Sequence, residues 1–291
     1  MKLSYSACSD LGRKRVKNED RYRIAPEADL FLVADGMGGH IAGEIASKIA
    51  VDTIEDFITT VNDEDTWPFE ISEDLPLPGN QLRVAIQLAN EKINSLAAKE
   101  EHFDGMGTTI VGMILQDGVS YIGHVGDSRA YLMRNGNLTL LTQDHSWVNM
   151  QVNLGLMNRA EARRHPWKNI ITRALGTKPE VDVDIRIQPV KPDDILLLCT
   201  DGLNSHVRDE EIKTILRENR QDLERAVKML IDLANLKGGD DNITVLVVAV
   251  EEETPMDRSG DQDGMDDEIT EVIPKQQLQM LLHEENGADA G

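Results

Sequence analysis

Asp35-Gly36-Met37-Gly38-Gly39-His40 is the stretch on which the reading of this chain turns. The run before it, Leu30-Phe31-Leu32-Val33-Ala34, is continuously apolar and reads as a buried strand. From Ile41 to Thr60, the residues Ile45, Ile49, Ile54, Phe57 and Ile58 recur at helical spacing. An acid therefore ends a strand, in a glycine-rich turn that enters a helix. Glycines there let the backbone pack closely and aim its amides and carbonyls at a ligand. Three readings fit. A dinucleotide fingerprint has the right order of elements, but Ile41 stands where the third glycine belongs, and Asp35 would face a pyrophosphate with like charge. Plain Asp-Gly turn chemistry is the second. The third is a hard-cation site, with a carboxylate from Asp35 and a carbonyl from Gly36, the oxygen ligands that Mg²⁺ and Mn²⁺ take. The other acids of the chain must decide among them.

The 291 residues suffice for one large domain or two small ones around a sizeable core. A formal net charge of −22 argues against nucleic acid as the main partner, because phosphates need a basic footprint. The excess is uneven. Residues 251–291 hold 13 acidic and 2 basic side chains, a net of −11. Their composition reads as a disordered acidic tail after a domain of residues 1–250. Within the tail, Ile269 to Leu282 is locally amphipathic, which admits a docking or autoinhibitory segment beside the solvated reading. Cys8 and Cys199 are too few for a disulfide scaffold and suit a reduced compartment. The start lacks a signal-peptide core, and no run approaches the ~20 apolar residues of a membrane helix. The expectation is a cytoplasmic protein without a membrane partner.

Leu3, Tyr5 and Ala7 alternate with polar residues and predict a strand. Ser9 to Arg21 is a charged loop, where an arginine reading phosphate competes with plain solvation. Val61 to Gly79 reads as an acidic loop of unusual length, followed by a helix from about Gln81 to Glu100. Two hairpins are expected, turning at Asp117-Gly118 and at Asn135-Gly136. Residues 142–176 read as irregular, with short helical stretches near Trp147 and Ala160. Asp194 to Cys199 reads as an apolar strand, 209–218 and 222–236 as helices, and 244–250 as a last strand.

Asp35, Asp127, Asp201 and Asp241 share one setting: each lies in a glycine-containing break beside an apolar strand. Four such acids meeting at one edge of a sheet core would hold two or more hard cations and clamp a phosphoryl group.

Here the chain resembles the metal-dependent protein phosphatases, PPM or type 2C, in their bacterial serine/threonine form. The matching pieces stand in family order. They are the single piece Ser9-Asp10-x-Gly12…Arg15…Asn18-Glu19-Asp20, the stretch from Ala34 to His40, and Gly107-Thr108-Thr109. Next come Val125-Gly126-Asp127-Ser128-Arg129, Leu141-Thr142-x-Asp144-His145-Ser146 and Ile171-Thr172-Arg173-Ala174-Leu175-Gly176. Thr200-Asp201-Gly202-Leu203 and Asp240-Asp241-Asn242-Ile243-Thr244 complete the set. Any one piece is weak, but eight in register are specific.

The resemblance implies an α+β fold, a four-layer α-β-β-α sandwich of two antiparallel sheets flanked by helix pairs. It implies that Asp35 bridges two Mn²⁺ or Mg²⁺ ions while Gly36 adds its carbonyl. Asp201 and Asp241 would complete the first ion's ligands, and Glu19 and Asp20 would act near the second, largely through water. Asp127 with Asp201 would hold a third, weaker ion. Asn242 would support the ligands from behind, and Arg15 would bind the substrate phosphate. A metal-bridging hydroxide would then attack phosphorus in line. Residues 144–172 would be a flap beside the active site. The implied partners are phosphorylated proteins, a Ser/Thr protein kinase and its substrates.

Met37 stands where some animal members carry a histidine proposed as general acid. For His40 and His145, a hydrogen-bonding role in the structure is the expectation. A cysteine phosphatase would need arginine six residues after its cysteine, but Lys14 and Ser205 stand there. The alternative of another class is a catalytically silent PPM fold that binds phosphoproteins.

Overall fold

Continuous apolar runs in antiparallel strands need cover on both faces of the sheet, and the architecture supplies it. The computed structural model describes residues 1–38, 42–61, 67–103 and 105–252. It opens with β1 (Lys2–Asp10), β2 (Asp20–Ala25) and β3 (Leu30–Met37), followed by the helices α1 (Ala42–Thr60) and α2 (Leu77–Lys99). A strand-rich stretch follows: β4 (Gly107–Thr108), β5 (Ile110–Gln116), β6 (Val119–Val125), β7 (Arg129–Arg134) and β8 (Asn137–Leu140). Two short helices, α3 (Trp147–Asn153) and α4 (Arg159–Ala162), lead to β9 (Asp184–Pro189) and β10 (Ile195–Cys199). The chain then forms α5 (Asp201–Asn204), α6 (Asp209–Glu218), α7 (Leu223–Leu236) and β11 (Ile243–Glu251).

The strands form two antiparallel sheets. One has the order β1-β11-β10-β7-β8, and the other β2-β3-β5-β6-β9, with β4 beside β3. Period-2 alternation sends each strand's residues to two different cores. From β3, Phe31 and Val33 join Leu196, Leu198, Leu246 and Val248 between the sheets. Leu30, Leu32 and Ala34 face the other way, onto Ala46, Ile54, Leu82 and Ile86 of α1 and α2. On the far side, Leu197, Val245 and Val247 pack against Ile212, Leu230 and Ile231 of α6 and α7. Three apolar layers thus separate four layers of secondary structure, the sandwich the resemblance implied.

Both expected hairpins form, with Asp117 and Asn135 at positive φ in their turns. The second helix begins at Leu77, four residues before the expected start. Pro78 stands in its first turn, where the missing N–H costs nothing. The described part of the 61–79 loop is tied to this helix by Asn80, which bonds Ser72 and Leu75 backbone groups at 2.7 to 2.8 Å. Two strands escaped the sequence reading, β2 and β9. Among the described residues, no helix is long and apolar enough to cross a membrane. The chain divides into a unit Met1–Glu253 and a unit Thr254–Gly291. Glu251 ends β11, and the rest of the acidic tail from residue 253 onward lies outside the described residues, as do Gly39 and His40.

Candidate metal centre

The ends of five strands bring the acids together at one rim of the sandwich. Asp20 opens β2 directly opposite Asp35 near the end of β3. Asp127 follows β6, Asp201 follows β10, and Asp241 precedes β11. Asp35 lies close enough to Asp20, Asp201, Asp127 and Asp241 for each to act on its charge. Five carboxylates therefore converge from sites up to 221 residues apart in sequence, as Asp20 and Asp241 show through their mutual effect.

Asp35 is held through its backbone. The Asp35 carbonyl accepts from the Thr109 N–H at 2.8 Å and from the Thr108 hydroxyl at 2.8 Å. Gly36 has no room for a side chain: a Cβ there would sit 2.1 Å from the Gly43 oxygen and 2.6 Å from the Glu19 oxygen. Gly202 is as tight, with a Cβ position 1.9 Å from the Asn242 oxygen. These contacts make both glycines steric necessities of the rim.

Burial without cations raises the acids' proton affinity. Loss of water is the largest cause at each, and neighbouring acids add to it. Asp20 is pushed up to about 7, Asp127 to about 8 and Asp201 to about 6, and Asp35 well above the usual carboxylate range. Asp20 is 1% exposed, with one oxygen bonded by the hydroxyls of Thr200 at 2.9 Å and Thr244 at 2.7 Å. Its other oxygen, Oδ1, has no partner, and neither has Asp127 Oδ1. Orphaned buried carboxylate oxygens are costly unless something satisfies them. A cluster of hard oxygen donors with orphaned atoms fits divalent Mn²⁺ or Mg²⁺.

Arg15 reaches the same rim. Its Nη2 donates to Asp241 Oδ2 at 2.7 Å, and its side chain stays about half exposed, at 49%. Asp241 holds the guanidinium charged, with Glu19 and Asp35 adding to the effect. Asn242 clamps the Arg15 loop. Its side chain accepts from the Glu19 N–H at 2.8 Å and donates to the Leu11 and Lys17 carbonyls at 3.0 and 2.9 Å. The Glu19 carbonyl in turn takes bonds from the Gly36 N–H and the Ser47 hydroxyl. Burial raises the Glu19 side chain above its usual range, with Arg15 opposing.

Met37 borders a cavity of about 340 Å³ shared with Asn169, Thr172, Arg173 and Thr177. Behind Asp127, Arg129 grips Asp144 with two bonds of 2.8 and 2.6 Å. His145 accepts the Gly126 N–H on Nδ1 at 3.0 Å, and its Nε2 meets Asp184 at 3.2 Å. Burial, then His124 and Arg173, pushes it down to about 4, so the ring is neutral. His124, His145 and Asp184 bring ligand atoms within 4.8 Å of one another. Because Nδ1 of His145 must accept from a backbone N–H, its proton sits on Nε2, which turns that nitrogen into a donor to Asp184 rather than a metal ligand. This trio ties the 142–176 segment to β9, the hydrogen-bonding role expected for His145.

The two threonines that seal Asp20 were not singled out from the sequence. Each adjoins a motif residue, Thr200 beside Asp201 and Thr244 two residues after Asn242. A hydroxyl next to a buried acid was the signal that could have found them.

The chain matches the family described as Protein phosphatase 2C over residues 13–238. It is 40% identical over 249 residues to the serine/threonine phosphatase stp of Listeria welshimeri, covering 82% of this chain and 93% of that protein. It resembles the crystal structure of the serine/threonine phosphatase PstP/Ppp of Mycobacterium tuberculosis with a TM-score of 0.75 at 34% identity, covering 86% and 99% of the two chains. A structure of the PstP catalytic domain in complex with two manganese ions matches with a TM-score of 0.73 at 33% identity, over 86% and 99%.

Proposed function

The chain belongs to the protein phosphatase 2C family and is a metal-dependent serine/threonine protein phosphatase, and we propose that the carboxylate rim is its reaction centre. The observation that carries this is the convergence of five acids with two orphaned, buried carboxylate oxygens. Asp35, the Gly36 carbonyl, Asp201 and Asp241 would hold one divalent cation. Asp35 would also serve a second, with Asp20 and Glu19 near it, and Asp127 with Asp201 would take a third. Bound there, such ions supply a nucleophilic water at neutral pH and neutralise phosphoryl charge.

The chain's own residues do the rest. Arg15 meets the substrate phosphate with its planar fork, and its pair with Asp241 keeps it at the rim beforehand. Asn242 and the Glu19 carbonyl fix the loop that carries it. Thr108 and Thr109 fix the Asp35 backbone. Met37 has no proton to give, and both His145 nitrogens are engaged, so the leaving alkoxide takes its proton from water or from another residue. The substrates are proteins modified by a Ser/Thr kinase, which this enzyme opposes. It works in the cytoplasm, where the unpaired Cys8 and Cys199 stay reduced.

Phosphate release from a phosphothreonine peptide tests the reading. With Mn²⁺ the wild type releases phosphate and EDTA abolishes it. Asp35→Asn lowers kcat/KM on the order of 10³-fold, as expected for losing several kcal/mol of charge stabilisation. No release from folded protein under any divalent metal would favour the silent binding module instead.

A further inference from the structure

The chain's charge is reversed over residues 158–173. They carry Arg159, Arg163, Arg164, Lys168 and Arg173 against the single acid Glu161, in a protein of net charge −22. Glu161 is already engaged, closing a capping box with Asn158 at 2.9 Å. Elsewhere several arginines have carboxylate partners: Arg21 with Glu44, Arg23 with Asp52, Arg129 with Asp144, Arg134 with Asp194. Among the described residues no carboxylate pairs with Arg159, Arg163, Arg164 or Lys168, and only Arg173 of the five has one, Asp184. These side chains stand exposed.

The cations belong to a surface next to the reaction centre. The Lys168 charge is felt at both Asp201 and Asp240. Asn169, Thr172 and Arg173 line the cavity that Met37 borders. The segment is braced from inside by rings: Trp147 meets His165 at 5.0 Å and Trp167 at 4.9 Å. Trp167 remains 52% exposed beside Lys168, which gives the basic surface an apolar platform.

Unpaired cations cost little on a surface, but a cluster of one sign in an otherwise acidic protein creates a local attractive field for anions. The active-site acids repel an acidic substrate, and this cluster offsets that repulsion at the point of entry. We propose that the exposed cations of residues 158–168, with Trp167, select phosphoprotein segments whose phosphorylated residue is flanked by Asp and Glu. This rests on the phosphatase reading of the neighbouring site and names its substrate class. Arg159, Arg163, Arg164 and Lys168 are specificity-determining residues that touch the flanks, not the phosphate.

The test compares kcat/KM on three phosphothreonine peptides, with acidic, neutral and basic flanks, using full-length enzyme and Mn²⁺. Each rate is taken relative to the same protein's rate on p-nitrophenyl phosphate, which has no flanks. The expected preference for the acidic over the neutral peptide is about tenfold at low salt, the sum of several modest charge contacts. It shrinks toward unity in 0.5 M salt, about where screening shortens the field to a few ångströms. Arg163→Glu with Arg164→Glu reverses the order of the acidic and basic peptides. Equal relative kcat/KM for all three peptides in the wild type, or an acidic preference that survives the double reversal, overturns the proposal. Failure to hydrolyse p-nitrophenyl phosphate or any peptide would instead overturn the phosphatase reading, so the two failures are distinct.

Discussion

The acids around Asp35 hang on strands buried on both faces, whereas residues 142–176 lean on three rings, two side-chain anchors and a few backbone bonds. Asp35 ends a strand whose Phe31 and Val33 are fully buried between the sheets. Its backbone is bonded by two threonines, and Gly36 and Gly202 allow no side chain at all. In the neighbouring segment, Leu154, Leu156, Trp167 and Ile170 are exposed, and Arg129–Asp144 and His145–Asp184 are its main anchors. Mutually repelling carboxylates need a rigid scaffold, because one bonded cation, Arg15 on Asp241, faces five acids and packing must hold the rest. A surface that reads varied protein segments needs the opposite, exposed side chains on a lightly braced support.

Gly202→Ala tests the rigidity of the rim directly. Its Cβ would fall 1.9 Å from the Asn242 oxygen, between two rigid elements. We expect a loss of about 3 kcal/mol or more, read from urea unfolding. A loss below about 1 kcal/mol would show that the rim yields and that the acids are not held by packing. Next in size is the effect of metal. Mn²⁺ at 100 times its Kd should stabilise the protein by about 2.7 kcal/mol, and Asp35→Asn should remove most of that gain. An equal rise in Tm for wild type and variant would place the stabilising ions elsewhere.

The smallest effect lies in the anchor between the two regions. His145 is held neutral in the fold, pushed from 6.5 down to about 4 by burial, His124 and Arg173. The unfolded chain therefore binds an extra proton between those values. Its contribution is fully present above pH 6.5 and is lost as pH falls toward 4. In EDTA, the stability of wild type relative to His145→Gln should fall by about 1–2 kcal/mol between pH 7 and pH 5. Parallel pH profiles for the two proteins would show that the ring is not shielded and that the segment is looser still.

Much of the sandwich was legible because its strands are buried on both sides. The runs Leu30–Ala34 and Asp194–Cys199 announce strands without any alternation to interpret. The strands missed are those at the sheet edges. In β9 the alternation is present, Val181-Asp182-Val183-Asp184-Ile185-Arg186-Ile187, but it sits in a polar stretch after an irregular one. β2 begins inside the charged loop, and the acid that opens it, Asp20, is buried against expectation for its residue type. For the site, the motif acids and Arg15 could be named from their glycine-rich settings. The bond from Arg15 to Asp241, 226 residues away, could not.

Sequence alone determined the local chemistry: which acids end strands, which turns require glycine, where the hairpins close and where the charge changes sign. These follow from period, turn residues and composition, which act over a few residues. Tertiary structure decided what those pieces do together. It placed Thr200 and Thr244 on one Asp20 oxygen and left the other without a partner. It turned His145 into a neutral tie through the Gly126 N–H. It also set Lys168 where its charge reaches Asp201. Those relations depend on burial and distance across the sandwich, and neither is written in the spacing of residues along the chain.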